Sequence, residues 1–242
     1  MGISIVVKDA DFSANKISNA FFPAFQSLVG AKFYGTEIPD IAGLKKSKNP
    51  GAVMAGGGSV VVDDYGLVLG AGQKVGSGLS LPPSFTLMLV QDMTLPDNVF
   101  REIAATSIVD GSSGSVYIRN MRSSTDVWSE VGVWPNGHSI RMSAPGVSPS
   151  QNVGVTTFLD YDDTDNAMRL ATVISGKRTQ SGVVNPATAI MDGKELLLTR
   201  IATASASKAR CVAVFNRVLT SDEQMEVHAW VSKFYSAKGV VI

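Results

Sequence analysis

The last thirty-odd of this chain's 242 residues hold a strand-length apolar run, a tight corner and a well-marked helix, while the rest is patterned as strands. Cys211 to Phe215 is almost continuously apolar, as in a strand covered on both faces. Thr220 stands three residues before Glu223, the capping-box spacing in which each side chain satisfies an orphan amide of the first helical turn. Asp222 adds negative charge where the helix dipole favours it. Val227, Trp230, Val231 and Phe234 recur at i, i+3, i+4, i+7, giving a helix over 221–235 one apolar face, and Gly239 lies where it would stop. A helix with one apolar face in a chain of strands needs a sheet to lie on.

The strand candidates are 59–62, 67–69, 85–90, 102–109, 115–119, 127–133, 139–142, 154–159, 168–174, 195–201 and 211–215, with a further short one at 4–8. Between them stand Asp110-Gly111, Asn136-Gly137, Asp165-Asn166 and Asp192-Gly193, of which the Asn-Gly and Asp-Gly pairs are strong hairpin signals because both residues tolerate positive φ. Short strands, turn punctuation and one terminal helix predict an all-β, antiparallel two-sheet sandwich. The glycine-rich stretch Gly70 to Gly78 lacks the G-x-G-x-x-G spacing and a following helix, so it reads as a flexible loop rather than a phosphate cradle.

Residues 1–40 differ from the rest and read as an N-terminal extended arm ahead of a domain over 41–242. Phe21, Phe22, Phe25, Phe33 and Tyr34 crowd into one short span, with Phe21, Phe25 and Leu28 at the spacing of one helix face. The cluster either packs on its own domain or forms an assembly interface with a neighbouring subunit. The second reading predicts an oligomer.

Lys plus Arg equals Asp plus Glu at 21 each, so the chain lacks the positive excess that a general nucleic-acid or anionic-membrane binder needs. Near-zero charge with 45% hydrophobic residues suggests surface covered by partners. A lone cysteine, Cys211, excludes an intrachain disulfide framework and, sitting in an apolar run, reads as core. Met1 to Val7 lacks the pattern of a secretory leader, and no stretch approaches the roughly 18 apolar residues that span a bilayer. The expectation is synthesis in a cytoplasm without membrane insertion.

The string Val212-Ala-Val-Phe-Asn-Arg-Val-Leu-Thr-Ser-Asp-Glu resembles the closing motif of concanavalin A-like lectin/glucanase domains of the laminin-G-like type, and Pro82-Pro83-Ser84-Phe85-Thr86-Leu87 is similar to the segment that opens a core strand there. The resemblance implies a jelly roll over 41–242. Val6-Val-Lys-Asp-Ala-Asp-Phe-Ser-Ala-Asn-Lys-Ile-Ser is similar to N-terminal segments of tailed-bacteriophage tail and fibre proteins. That resemblance implies a virion component of tail fibre, baseplate or capsid decoration, partnered by other virion proteins, by its own copies and by host surface polysaccharide. A free-standing carbohydrate-binding module and a degenerate glycoside hydrolase are the alternatives.

Hydrolytic relatives in that fold class carry a strand with Glu-x-Asp-x-x-Glu, whose alternation aims two carboxylates into one groove; no such string occurs here, and Glu102, Glu130 and Glu195 stand alone. His138 and His228 are too few for a metal or Ser-His constellation and read as surface or packing residues. The chain is therefore expected not to be an enzyme. Asp160, Asp162, Asp163 and Asp165 lie in a stretch that reads as a turn, either a plain acidic tip or a calcium site, since calcium takes six to eight hard oxygen ligands. Trp128 and Trp134 are six apart, so on a regular strand they share a face, either packed in the core or stacked on sugar rings.

Overall fold

A computed structural model of the chain describes residues 22–34, 53–55, 61–63, 66–68, 74–93, 101–107, 116–122, 127–133, 138–143, 153–185, 195–199, 208–237 and 239–242. A 3-10 turn, Phe25–Ser27, leads into β1 (Leu28–Phe33), β2 (Val53–Ala55), β3 (Val61–Asp63), β4 (Gly66–Val68), β5 (Lys74–Ser80), β6 (Phe85–Met93), β7 (Arg101–Ser107) and β8 (Val116–Arg122). These are followed by β9 (Val127–Val133), β10 (His138–Ser143), β11 (Val153–Asp162), β12 (Ala167–Ile174), β13 (Lys177–Gln180), β14 (Glu195–Thr199), β15 (Lys208–Phe215) and α1 (Ser221–Ser236).

The strands form two antiparallel sheets. One has eight strands in the order β13-β12-β11-β6-β15-β4-β3 with β1 also on β15, and the other has seven in the order β10-β9-β8-β7-β14-β5-β2. Val75 and Leu79 of β5 and Leu196 of β14 share one apolar core with Phe85, Leu87, Leu89, Leu159, Tyr161, Leu170, Val212 and Val214, so the sheets pack face to face. This is the all-β sandwich the sequence predicts.

The eight-stranded sheet is covered on both sides, which explains its unbroken apolar runs. Along β6, Phe85, Leu87 and Leu89 enter the inter-sheet core, while Met88 and Val90 join Cys211, Ala213 and Phe215 of β15 in a second core. Val227, Trp230, Val231 and Phe234 of α1 close that second core from outside. The capping box forms as the sequence predicts: Thr220 Oγ1 accepts from Glu223 N at 3.3 Å, and Glu223 Oε2 accepts from Thr220 N at 2.9 Å. At the other end Gly239, with φ of 77°, turns the chain so that Val240 N donates to Tyr235 O. Cys211 is fully enclosed, and burial pushes its thiol well above the ordinary range.

Three sequence expectations differ from the structure. Leu28 to Phe33 is neither helix nor a detached arm: it is β1, paired with β15 from Leu28↔Phe215 to Phe33↔Cys211, so residues 28–33 belong to the sandwich. Gly70–Gly78 is not one loop, because Lys74–Ser80 is a strand between β14 and β2. Its glycines accommodate a bulge, where Gly78 takes φ of 68° and the register against β14 slips. Asp160 and Asp162 are strand residues of β11 and not turn residues, since the hairpin turn begins at Asp163. The sequence reading also passed over β13, which is joined to β12 by Ser175 and Gly176 at φ of 50° and 74°, the paired positive φ of a tight hairpin turn.

Candidate functional site

The outer face of the eight-stranded sheet grades from polar to apolar across its strands. Register places Asp160 of β11 between Arg169 of β12 and Thr86 of β6, while Thr156 lies between Val173 and Val90. Phe158 and Ala171 lie in the row between, and the apolar residues continue onto β15 and β1. Helix α1 matches this gradient, setting Gln224 and His228 over the polar positions and Trp230 and Phe234 over the apolar ones.

Asp160 is the hub of the polar part. Its carboxylate is buried and accepts from Thr86 Oγ1 at 2.6 Å and from Gln224 Nε2 at 3.0 and 2.9 Å. Gln224 Oε1 in turn accepts from Arg178 Nε and Nη2 at 3.1 and 2.7 Å, and Thr86 Oγ1 accepts from Leu219 N at 2.9 Å. Burial pushes the Asp160 carboxyl upward, opposed by those two side-chain hydrogen bonds and by the charges of Arg178 and Arg169. The network fastens the first turn of α1 to the sheet. Beside it opens a cleft of about 260 Å³ lined by Arg169, Arg178, Gln180 and the corner residues Val218 to Ser221.

His228 is enclosed, with Nδ1 and Thr156 Oγ1 hydrogen-bonded at 2.9 Å and Nε2 and Ser232 Oγ at 3.3 Å. Burial lowers its pKa from the ordinary 6.5. A depressed folded pKa means that its contribution to stability is present above pH 6.5 and is lost as pH falls through the folded value. Urea midpoints are therefore expected to drop on acidification below pH 6.5 more steeply in the wild type than in His228→Gln. Parallel pH profiles would refute the burial of an uncharged ring.

A second cleft, of about 450 Å³, lies on the other side of the β15–α1 corner and is lined by Ala24, Phe25, Gln26, Ser27, Asn216, Arg217 and Glu223. Arg217 Nη1 donates to Glu223 Oε2 at 2.9 Å and Nη2 donates to Oε1, which holds the Glu223 carboxylate down at about 2.

The structure does not gather the sequence-derived candidates into one site. Asp160 is enclosed under α1. Asp162 Oδ1 accepts from Thr164 N at 3.0 Å, Asp163 Oδ1 accepts from Tyr161 Oη at 3.4 Å, and Asp165 belongs to the exposed turn. Among the described residues no three His, Cys, Asp or Glu side chains converge as metal ligands. Alternation along β11 separates these groups, since Tyr161 enters the inter-sheet core while Asp160 faces α1. Trp128 lies on β9, paired with Met121 and Ser143; Trp134 and Phe21 lie outside the described residues.

Of the aromatic cluster assigned to an assembly interface, Phe22 and Phe33 pack beneath α1 and Tyr34 enters the inter-sheet core, all within this chain. Once β1 pairs with β15, the neighbours Phe33 and Tyr34 are buried to opposite sides, and Phe22 is buried as well; Phe25 alone of the described members is exposed, at 44%. Sequence reasoning missed Asp160 as a hub, because its partners Thr86 and Gln224 lie 74 and 64 residues away.

No protein-family model matches the sequence, and a search of curated proteins finds no relative. Among solved structures, the fold is similar to that of a mutant Trypanosoma rangeli sialidase displaying trans-sialidase activity, with a TM-score of 0.52 and 14% identity over 86% of this chain and 33% of that one. It is similar to the legume lectin-like domain from Entamoeba histolytica, with a TM-score of 0.50 and 9% identity over 67% of this chain and 88% of that one. The carbohydrate-binding module CBM40 of the Ruminococcus gnavus IT-sialidase, bound to α2,6-sialyllactose, gives 0.46 and 13% over 70% and 99%. At such identities the likeness is one of fold, an antiparallel two-sheet β-sandwich like that of the legume lectin-like domain.

Proposed function

We propose that this chain is a non-catalytic, lectin-like component of a tailed-bacteriophage virion that binds glycans of the host surface. The observation that carries the glycan half is the sandwich itself, with the fold of a legume lectin-like domain. Two features favour binding over hydrolysis. The chain has no Glu-x-Asp-x-x-Glu string, and Asp160, the buried carboxylate among the described side chains, is consumed by Thr86 and Gln224. The virion half is supported by the resemblance of residues 6–18 to phage tail proteins, and a formal charge of zero suits a surface covered by virion partners and by copies of the chain.

In this reading Trp128 and Trp134 are stacking faces for sugar rings. The purified chain is expected to bind selected polysaccharides on an array of bacterial surface glycans without releasing reducing sugar from them. Trp128→Ala should weaken that binding roughly tenfold, about 1.4 kcal/mol. An array with no binding above the heat-denatured chain would sink the glycan reading, and sugar release would move the chain to the hydrolases. The virion half is tested separately, by antibody to this chain on electron micrographs of particles: unlabelled virions would end it.

A further inference from the structure

We propose that the cleft between residues 24–27 and the β15–α1 corner is a second carbohydrate subsite. In it the Phe25 ring stacks on the apolar face of a pyranose, and Gln26, Asn216 and Arg217 hydrogen-bond the ring hydroxyls. The proposal rests on the glycan-binding reading above and adds to it a site away from the seven-stranded sheet.

The exposure of Phe25 is built into the fold. Three residues before it, Phe22 is buried, stacked 6.3 Å from Phe215 and set edge-on 4.7 Å from Trp230. Two residues after it, Ser27 is buried and donates twice to Ala24 O, from N at 2.9 Å and from Oγ at 2.8 Å. Ser27 O accepts from Asn216 N at 2.8 Å, which ties the turn to the corner after β15. Ala24 itself sits at φ of 55°, a left-handed conformation that costs an alanine energy and persists where the surroundings impose it. A chain clamped on both sides and strained between the clamps holds a large apolar ring 44% exposed in water. Such strain concentrates where a side chain must be presented in a set direction.

The rim supplies the complementary chemistry. A pyranose offers an apolar C–H face, which an aromatic ring covers, and an edge of hydroxyls that each donate and accept. Planar amide and guanidinium groups meet adjacent hydroxyls in pairs. Gln26 and Asn216 bring carboxamides, and among the described residues their side chains hold no hydrogen bond. Arg217 makes three hydrogen bonds, to Glu223 and to Val218 O, which fix its plane and leave two of the five N–H donors of a guanidinium for a ligand. The cleft volume of about 450 Å³ falls within the range of small-ligand sites, and its lining, one aromatic ring among mostly polar side chains, suits a ligand richer in hydroxyls than the usual apolar one. A purely apolar partner would leave this rim unsatisfied, so a polyhydroxylated ligand fits it better.

The test uses the full chain and a panel of bacterial surface polysaccharides, with affinities measured for the glycan the wild type retains most strongly. Phe25→Ala should weaken that binding at least tenfold and Phe25→Trp should preserve it, both with nearly unchanged melting temperature, because the residue is 44% exposed and belongs to neither core cluster. Asn216→Ala should weaken it by a smaller factor. Should Phe25→Ala bind as the wild type while Trp128→Ala does not, the cleft is no subsite although the chain remains a lectin. A wild type that binds nothing on the panel overturns both readings. If Phe25→Ala shifts the sedimentation coefficient and leaves glycan binding intact, the ring is a contact between copies, and the proposal is wrong.

Discussion

Replacing Trp230 with alanine is expected to lower the unfolding free energy by about 3 kcal/mol, the usual cost of truncating a large aromatic in a core. The indole is 9% exposed and meets Phe22 edge-on at 4.7 Å, Phe33 at 5.9 Å and Phe234 in a stack at 5.9 Å. Those rings come from three places in the chain, so the cavity left by the deletion cannot close by a local shift. Its N–H finds no partner among the described residues, which makes the contribution one of packing and area. For a chain of this size the loss corresponds to a fall of roughly 6–12 °C in melting temperature. A loss below about 0.5 kcal/mol, as for a surface substitution, would mean that α1 does not lie on the sheet through this face.

Gln224→Leu should cost about as much, on the order of 3 kcal/mol, through a different mechanism. The substitution keeps the volume but removes both donor contacts to Asp160 and the acceptor for Arg178. A carboxylate that stays buried after losing its partner carries its desolvation cost uncompensated. The pH dependence distinguishes this from lost packing. The folded pKa of Asp160 is already raised by burial, and losing a hydrogen bond to the charged form raises it further. A raised folded pKa favours the native state below the ordinary value of 3.8 and disfavours it as pH climbs through the folded value. The deficit of Gln224→Leu should therefore shrink as pH is lowered, and Asp160→Asn in the same chain should recover part of it at neutral pH. A deficit constant with pH in urea titrations would show that Asp160 does not depend on Gln224.

These two residues differ in how they are announced. Trp230 belongs to a repeat at helical spacing that follows a capping box, and each of those signals is local. Gln224 occupies the same helix with no comparable mark, because nothing near it says that a carboxylate will face it. The fold class was legible for a similar reason: β6 from Leu87 to Val90 and β15 from Cys211 to Phe215 are apolar at consecutive positions, so both faces must be covered, and Asp165-Asn166 marks where β11 turns into β12. Where glycine interrupts the pattern, as in β5, the alternation fails, and the strand is recognised only once β14 and β2 stand on either side of it.

The N-terminal aromatics show the limit most clearly. Phe22, Phe25, Phe33 and Tyr34 are alike as sequence, and their crowding says only that they need a surface. The pairing of β1 with β15, across more than 170 residues, decides that Phe33 goes beneath α1, Tyr34 between the sheets and Phe25 into water. By itself the sequence determined the elements with an unbroken apolar run or a capping signal, among them β6, β11, β12, β15 and α1, because period and capping act within a few residues. The tertiary structure alone decided which strands share an edge, which carboxylate is buried under the helix and which aromatic residue stays exposed to water, because those depend on partners brought together only by folding.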